Sequence, residues 1–144
     1  MMANKKLILV TGGTSGIGRE TAKGLASTGA TVVFTARDVK KGEETKREII
    51  KETHNDNVEY LVCDLSSFTS IQKCAEEFRE HYHRLDVLIN NAGVLPQERQ
   101  ESVDGIELNL AVNFLAPLLL TKLLLPLLRK SAPSRIINVS SSMH

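Results

Sequence analysis

Short, wholly apolar runs recur along this chain at a regular pace, with helical patterns between them. Lys6 to Val10, Thr31 to Ala36, Val58 to Cys63, Leu85 to Asn90 and Arg135 to Val139 read as strands. Strands without polar alternation are covered on both faces, which is the property of a parallel sheet joined by crossover helices. The intervening helices read as Arg19 to Thr28, closed by Gly29, then Val39 to His54, which ends in the turn His54-Asn55-Asp56-Asn57. Phe68 to Tyr82 follows with Ser66 or Ser67 as its cap, and Val103 to Arg129 reads as mostly helix. Right-handed crossovers then give an α/β, doubly wound parallel sheet of five strands in the order 3-2-1-4-5.

Composition narrows the function classes. A length of 144 residues suits one domain, spanning 1–144, and 42% apolar residues rule out disorder as the dominant state. A net charge of +1 gives no pointer to nucleic acid. Cys63 and Cys74 form no CxxC and no metal-ligand set; they read as buried small hydrophobes in a reducing, cytoplasmic setting. His81 and His83 lie two apart, on different faces, and make a poor metal pair, so no metal is expected. No targeting segment stands out. The greasiest stretch, Phe114 to Leu128, is interrupted by Pro117, Lys122 and Pro126 and falls short of the roughly 20 residues of a membrane span, so it reads as a buried or subunit-facing helix.

The chemistry starts at Thr11-Gly12-Gly13-Thr14-Ser15-Gly16-Ile17-Gly18, between the first strand and the first helix. Glycines there allow a sharp turn and a close backbone approach, and the helix N-terminus favours a pyrophosphate. The strand-turn-helix context favours nucleotide binding over an ordinary turn. A Walker-type loop needs Lys-Ser or Lys-Thr after the last glycine, whereas Arg19 follows Gly18 here. At the end of the second strand Ala36 stands where an NAD-binding sheet carries an acid. Arg37 suits the 2′-phosphate of NADP, with Ser15 adding a hydroxyl; the alternative is Asp38 as a ribose ligand, which would favour NAD. NADP is the favoured cofactor.

With these residues in place the chain resembles the short-chain dehydrogenase/reductase family in its classical form, whose fold is of the Rossmann type. Thr11, Gly12, Gly16 and Gly18 match the family's glycine pattern, Asp64 its aspartate after the third strand, and Asn90 to Gly93 its Asn-Asn-Ala-Gly. Asn113 matches its helix asparagine and Ser141 its serine after the fifth strand. The resemblance implies cofactor contacts from the glycine turn, from Asp64 and Leu65 beside the adenine, and from Asn91, Ala92 and Gly93 along the adenosine ribose. It gives Ser141 the substrate oxygen, with Ser140 or Ser142 as the alternatives one register off, and Asn113 a supporting place in a proton relay through water. Asn90 is expected to link strands. Asp64-Leu65-Ser66-Ser67, Asp104-Gly105 and Ser131 to Arg135 are similar to the retinol-dehydrogenase-like branch, which implies a lipophilic carbonyl or alcohol substrate. The spacing of a nucleotide-sugar epimerase, Thr-Gly-x-x-Gly-x-x-Gly, does not fit Gly12, Gly16 and Gly18.

The family's Tyr-x-x-x-Lys, its general acid/base pair, has no match: Tyr60 is followed four positions on by Asp64, and Tyr82 by Asp86. The chain is therefore expected to be the cofactor-binding half of a longer, homo-oligomeric enzyme and inactive alone. A naturally short, non-catalytic dinucleotide-binding module is the alternative. In the longer-enzyme reading the fifth strand is a bare edge and the leucine-rich helix exposes an apolar patch.

Overall fold

The computed structural model describes residues 5–140. Five parallel strands, β1 (Leu7–Val10), β2 (Thr31–Ala36), β3 (Val58–Val62), β4 (Val87–Asn90) and β5 (Arg135–Asn138), form one sheet in the order β3-β2-β1-β4-β5. Helices α1 (Gly16–Ser27) and α2 (Val39–Thr53) cover one face. Helix α3 (Phe68–His81) and a long helix, Leu108–Lys130, cover the other. The expected doubly wound topology is the observed one.

The two-residue period of a strand divides the core. Leu7 and Leu9 of β1, Val33 of β2 and Leu88 of β4 point to α3 and the long helix, among Ile71, Phe78, Leu120 and Leu124. Ile8, Val10, Val32, Phe34 and Ile89 point the other way, onto Ala22 and Ala26 of α1 and Ile49 of α2. Helix α1 buries only Gly18, Ala22 and Ala26, a stripe of small residues at four-residue spacing, so its axis comes close to the sheet. Cys63 and Cys74 are both buried in the α3 side of the core. The Cys74 thiol is held well above its usual range, first by its hydrogen bond with Cys63 and then by burial.

Several boundaries differ from the sequence expectation, each for a physical reason. Helix α1 begins at Gly16 rather than Arg19, because Ser15 is already the extended N-cap residue; two glycines in the first turn hide the helix from a propensity reading. Ser67, not Ser66, caps α3, and Asp104 adds a bond from 36 residues away by accepting from the Phe68 N–H at 2.9 Å. The segment from Val103 to Glu107 is not helical. Gly105 turns it with φ +74°, and the Glu107 carboxylate then caps the long helix by accepting from Asn109 N and Leu110 N.

The greasy stretch also extends further than the sequence suggests, and it does not fall short of a membrane span. The long helix runs for 23 residues, with a mean hydropathy of 1.9 over its most apolar 18, so by length and composition alone it is able to cross a membrane. Pro117 falls at the start of its regular α-helical part and Pro126 is carried inside it, so neither divides it. One side of this helix, Ala116, Leu120, Leu124, Leu127 and Leu128, is built into the core beneath the sheet. Its far side is open, with Phe114 60% and Leu118 56% exposed, and β5 at the sheet edge is exposed along its length.

At the opposite end of the strands Asp86, 2% exposed, stitches three of them together. Its carboxylate accepts from Leu7 N at 2.8 Å and from the Arg84 guanidinium at 2.7 Å, and its own backbone bonds Leu7 O and Arg135 N. Burial pushes this carboxyl up, but the Arg84 bond, the Leu7 N–H and the nearby positive charges of Arg84 and Lys6 outweigh it, and the net shift is downward. A carboxyl lowered on folding adds stability above its unfolded value, about 3.9, and that stability is lost as pH falls through the folded value. Asp86→Asn should therefore be markedly less stable than the parent near neutral pH. Urea midpoints should show that gap closing as pH falls below the ordinary carboxylate range and Asp86 takes up its proton, and a gap independent of pH would exclude this role.

Candidate functional site

The glycine turn is sewn to the strands on either side of β1. Gly12 N donates to Thr35 Oγ1 at 3.0 Å and Gly13 N to Thr35 O at 3.2 Å, which ties it to the end of β2. On the β4 side the Thr11 hydroxyl oxygen accepts from Asn91 N and Ala92 N at 3.0 and 3.1 Å, while Asn91 Nδ2 donates to Thr11 O and reaches Gly12 O. The structure thus brings Gly12, Asn91 and Ala92 together at the carboxyl ends of β1 and β4, the point where the sheet's winding reverses and open α/β sheets place their ligands.

Two glycines decide the geometry of the turn. A Cβ on Gly18 would lie 2.1 Å from Gly12 O and 2.4 Å from Asn91 Nδ2, so α1 docks this tightly only without a side chain there. Gly16 is different: its φ is +55°, and a Cβ on it would meet nothing within 4 Å. Ser15 caps α1 with its backbone but makes no side-chain cap bond, and the first turn of α1 holds no acidic residue. The amides that open α1 and the Ser15 hydroxyl are thus uncommitted to a carboxylate, and Ile17 beside them is exposed.

From this turn a cleft of about 450 Å³ runs over the ends of β2 and β3, lined by Thr14, Ser15, Arg37, Asp38, Lys41 and Asp64. Asp38 is spent as the N-cap of α2, accepting from Lys41 N at 2.8 Å. Asp64 Oδ1 accepts from Ser66 N and Ser66 Oγ, and its own N–H is taken by Ser70 Oγ. Leu65 does not line this cleft. It packs against the core on the α3 side and walls a smaller cavity with Thr11.

Asn113 lies on the other side of the turn. Its amide closes a two-point clamp on the backbone of one residue: Oδ1 accepts from Val94 N and Nδ2 donates to Val94 O, both at 2.8 Å, with a further bond from Nδ2 to Asn109 Oδ1. Gly93 lies beside it. The helix is π-helical from Ala111 to Leu115, a local insertion that sets Asn113 opposite the chain leaving β4. Ser141 and its alternative Ser142 lie outside the described residues. His81 and His83 are both exposed.

Two contributors were not read from the sequence. Thr35 looks like one more β-branched strand residue, and only the sheet register puts it under Gly12. Lys41 belongs to a run of charged residues, and only the start of α2 at Val39 turns it into the cleft wall.

The sequence profile described as short chain dehydrogenase matches residues 6–144. This chain belongs to that family. Among its relatives, human retinol dehydrogenase 11 is 48% identical over 139 residues, covering 96% of this chain and 44% of that protein. The chain thus spans less than half the length of the relative. A Pseudomonas aeruginosa RhlG/NADP active-site complex superimposes with TM-score 0.79 at 33% identity, over 96% of this chain and 57% of that one. A metagenomic short-chain oxidoreductase in complex with NADP gives 0.79 at 36% identity, over 94% and 62%.

The two glycines of this family member should separate on substitution. Gly18→Ala forces backbone apart and should cost about 3 kcal/mol or more, as overpacking does when the neighbour is not a side chain. Gly16→Ala pays only for a left-handed residue, about 1–2 kcal/mol. Thermal unfolding of the two variants checks the order; equal losses would mean that α1 is not seated through Gly18.

Proposed function

We propose that this chain is the NADP-binding part of an oxidoreductase that moves a hydride between the nicotinamide and a lipophilic carbonyl or alcohol. The observation that carries the cofactor reading is the pair of cations on one wall of the cleft, Arg37 and Lys41, facing a turn with uncommitted amides. Arg37 directly follows β2 and its guanidinium is suited to a phosphate held through two parallel bonds. The competing reading, Asp38 as a ribose ligand for NAD, is weakened by its bond to Lys41 N, which uses the carboxylate within α2. The two solved neighbours described as NADP complexes support the same choice, and the likeness to retinol dehydrogenase 11 supports a lipophilic substrate.

In this reading the residues divide the work. The amides from Ser15 to Gly18 hold the pyrophosphate at the positive end of α1, and Gly16 leaves space for its approach. Thr14, Ser15, Arg37 and Lys41 hold the phosphorylated adenosine, with Asp64 at the far end of the cleft. Asn91, Ala92 and Gly93 form the floor beside the ribose, kept in place by Thr11 from below and by Asn113 through Val94. The bound dinucleotide supplies the hydride chemistry. Ser141 would polarise the substrate oxygen.

A second reading concerns this chain alone. It carries no Tyr-x-x-x-Lys, so it binds the dinucleotide without turning over substrate.

Calorimetric titration with NADPH and NADH tests the proposal. NADPH should bind more tightly, and Arg37→Asp should reverse the order. Loss of a charged hydrogen-bonded contact, about 1.5–3 kcal/mol, corresponds to a tenfold or greater weakening toward NADPH. Lys41→Ala should weaken NADPH less and leave NADH unchanged. Heat with neither dinucleotide would sink the reading, and equal affinity before and after the Arg37 change would remove NADP preference from it.

A further inference from the structure

Beneath the glycine turn, between the sheet and the long helix, lies a cavity of about 10 Å³, walled by Thr11, Asn90, Ala116 and Pro117 among others. That is the space a single water requires, and far less than any organic ligand needs. Its walls are mostly apolar, but two of them bring polar groups with unused capacity.

Asn90 is 6% exposed. Its Nδ2 donates to Thr121 Oγ1 at 3.2 Å and to Asn138 Oδ1 at 2.9 Å, which links β4 to β5 and to the long helix. Its Oδ1 is buried and has no hydrogen-bond partner among the described residues. Buried amide oxygens are almost always satisfied, so this one points to a donor not supplied by those residues. Thr11 is the complement. Its hydroxyl oxygen accepts two backbone N–H groups, and its own proton goes to no acceptor among the described residues.

We propose that one buried water occupies this cavity, accepting from the Thr11 hydroxyl and donating to Asn90 Oδ1. The bridge gives the hydroxyl proton a fixed direction, which turns the oxygen's lone pairs toward Asn91 N and Ala92 N. The water is then a structural member of the turn, joining β1 and β4 below the cleft whichever dinucleotide lies above.

A crystal structure of the chain at a resolution that shows ordered solvent is the test. The expected result is a density peak within about 2.6–3.2 Å of both Thr11 Oγ1 and Asn90 Oδ1. Thr11→Ser should keep that peak and Asn90→Leu should abolish it. The native chain decides the matter even if Asn90→Leu does not fold. The proposal is overturned by an empty cavity, by a rotated Asn90 amide whose oxygen accepts from Thr121, or by a side chain from residues 141–144 bonded to that oxygen.

Discussion

Tight seating of α1 on the sheet is the constraint from which the site follows. The Gly12 carbonyl occupies the space that a Cβ on Gly18 would need, and Asn91 Nδ2 fills the remainder. With no side chain at that point, a helix can begin directly at the carboxyl end of β1 and aim its opening amides along the strand ends. The small residues Ala22 and Ala26 carry the same close approach down the helix, against Ile8 and Val10. Packing and ligand geometry are therefore one problem here. Energy gained by burying α1 also sets the direction of its dipole.

Around that contact the turn is held by short side chains instead of by long ones. Thr35 and Thr11 each offer a hydroxyl oxygen to backbone N–H groups of segments that would otherwise end in open loops. Asn113 does the same for Val94. Thr11 and Thr35 are buried and Asn113 is exposed, but all three are short and hydrogen-bonded; such groups lose little entropy and fix position well, which suits a surface that must receive a charged ligand without rearranging. The charged side chains of the cleft, Arg37 and Lys41, stay exposed on its rim, where burial adds no desolvation cost before a ligand arrives.

Much of the fold was legible because its signals are local. The run Thr31–Ala36 is β-branched and bounded by Gly29 and by charged residues, and the strand has those same ends. Ser67 caps α3 through a bond to the third residue on, as such a residue type does; Asp38 caps α2 in the same way, although the sequence offered it only as a ribose ligand. The glycine turn and the family resemblance rest on spacing alone, and the topology follows from the apolar strands. What stayed hidden depends on distant partners. Asp104 caps α3 from another loop. Thr35 acquires its role from the register of β2 against β1. Val103 to Glu107 carries helix-like apolar spacing, yet the positive φ of Gly105 and the Glu107 carboxylate start the helix later. The π-helical stretch has no local marker, since it exists to suit the chain leaving β4.

That stretch, Ala111–Leu115, sets a limit on how the gene can vary. A π turn holds one residue more than the α turn it replaces, so losing a single codon there would leave an unbroken α-helix. Because the wide turn itself takes up the extra residue, the two halves of the helix would keep nearly the same orientation, and the leucine seam of the second half would stay on its partners. What would be lost is the widened turn that presents Asn113 to Val94. A change of length by one residue here is thus felt by the amide grip and not by the core.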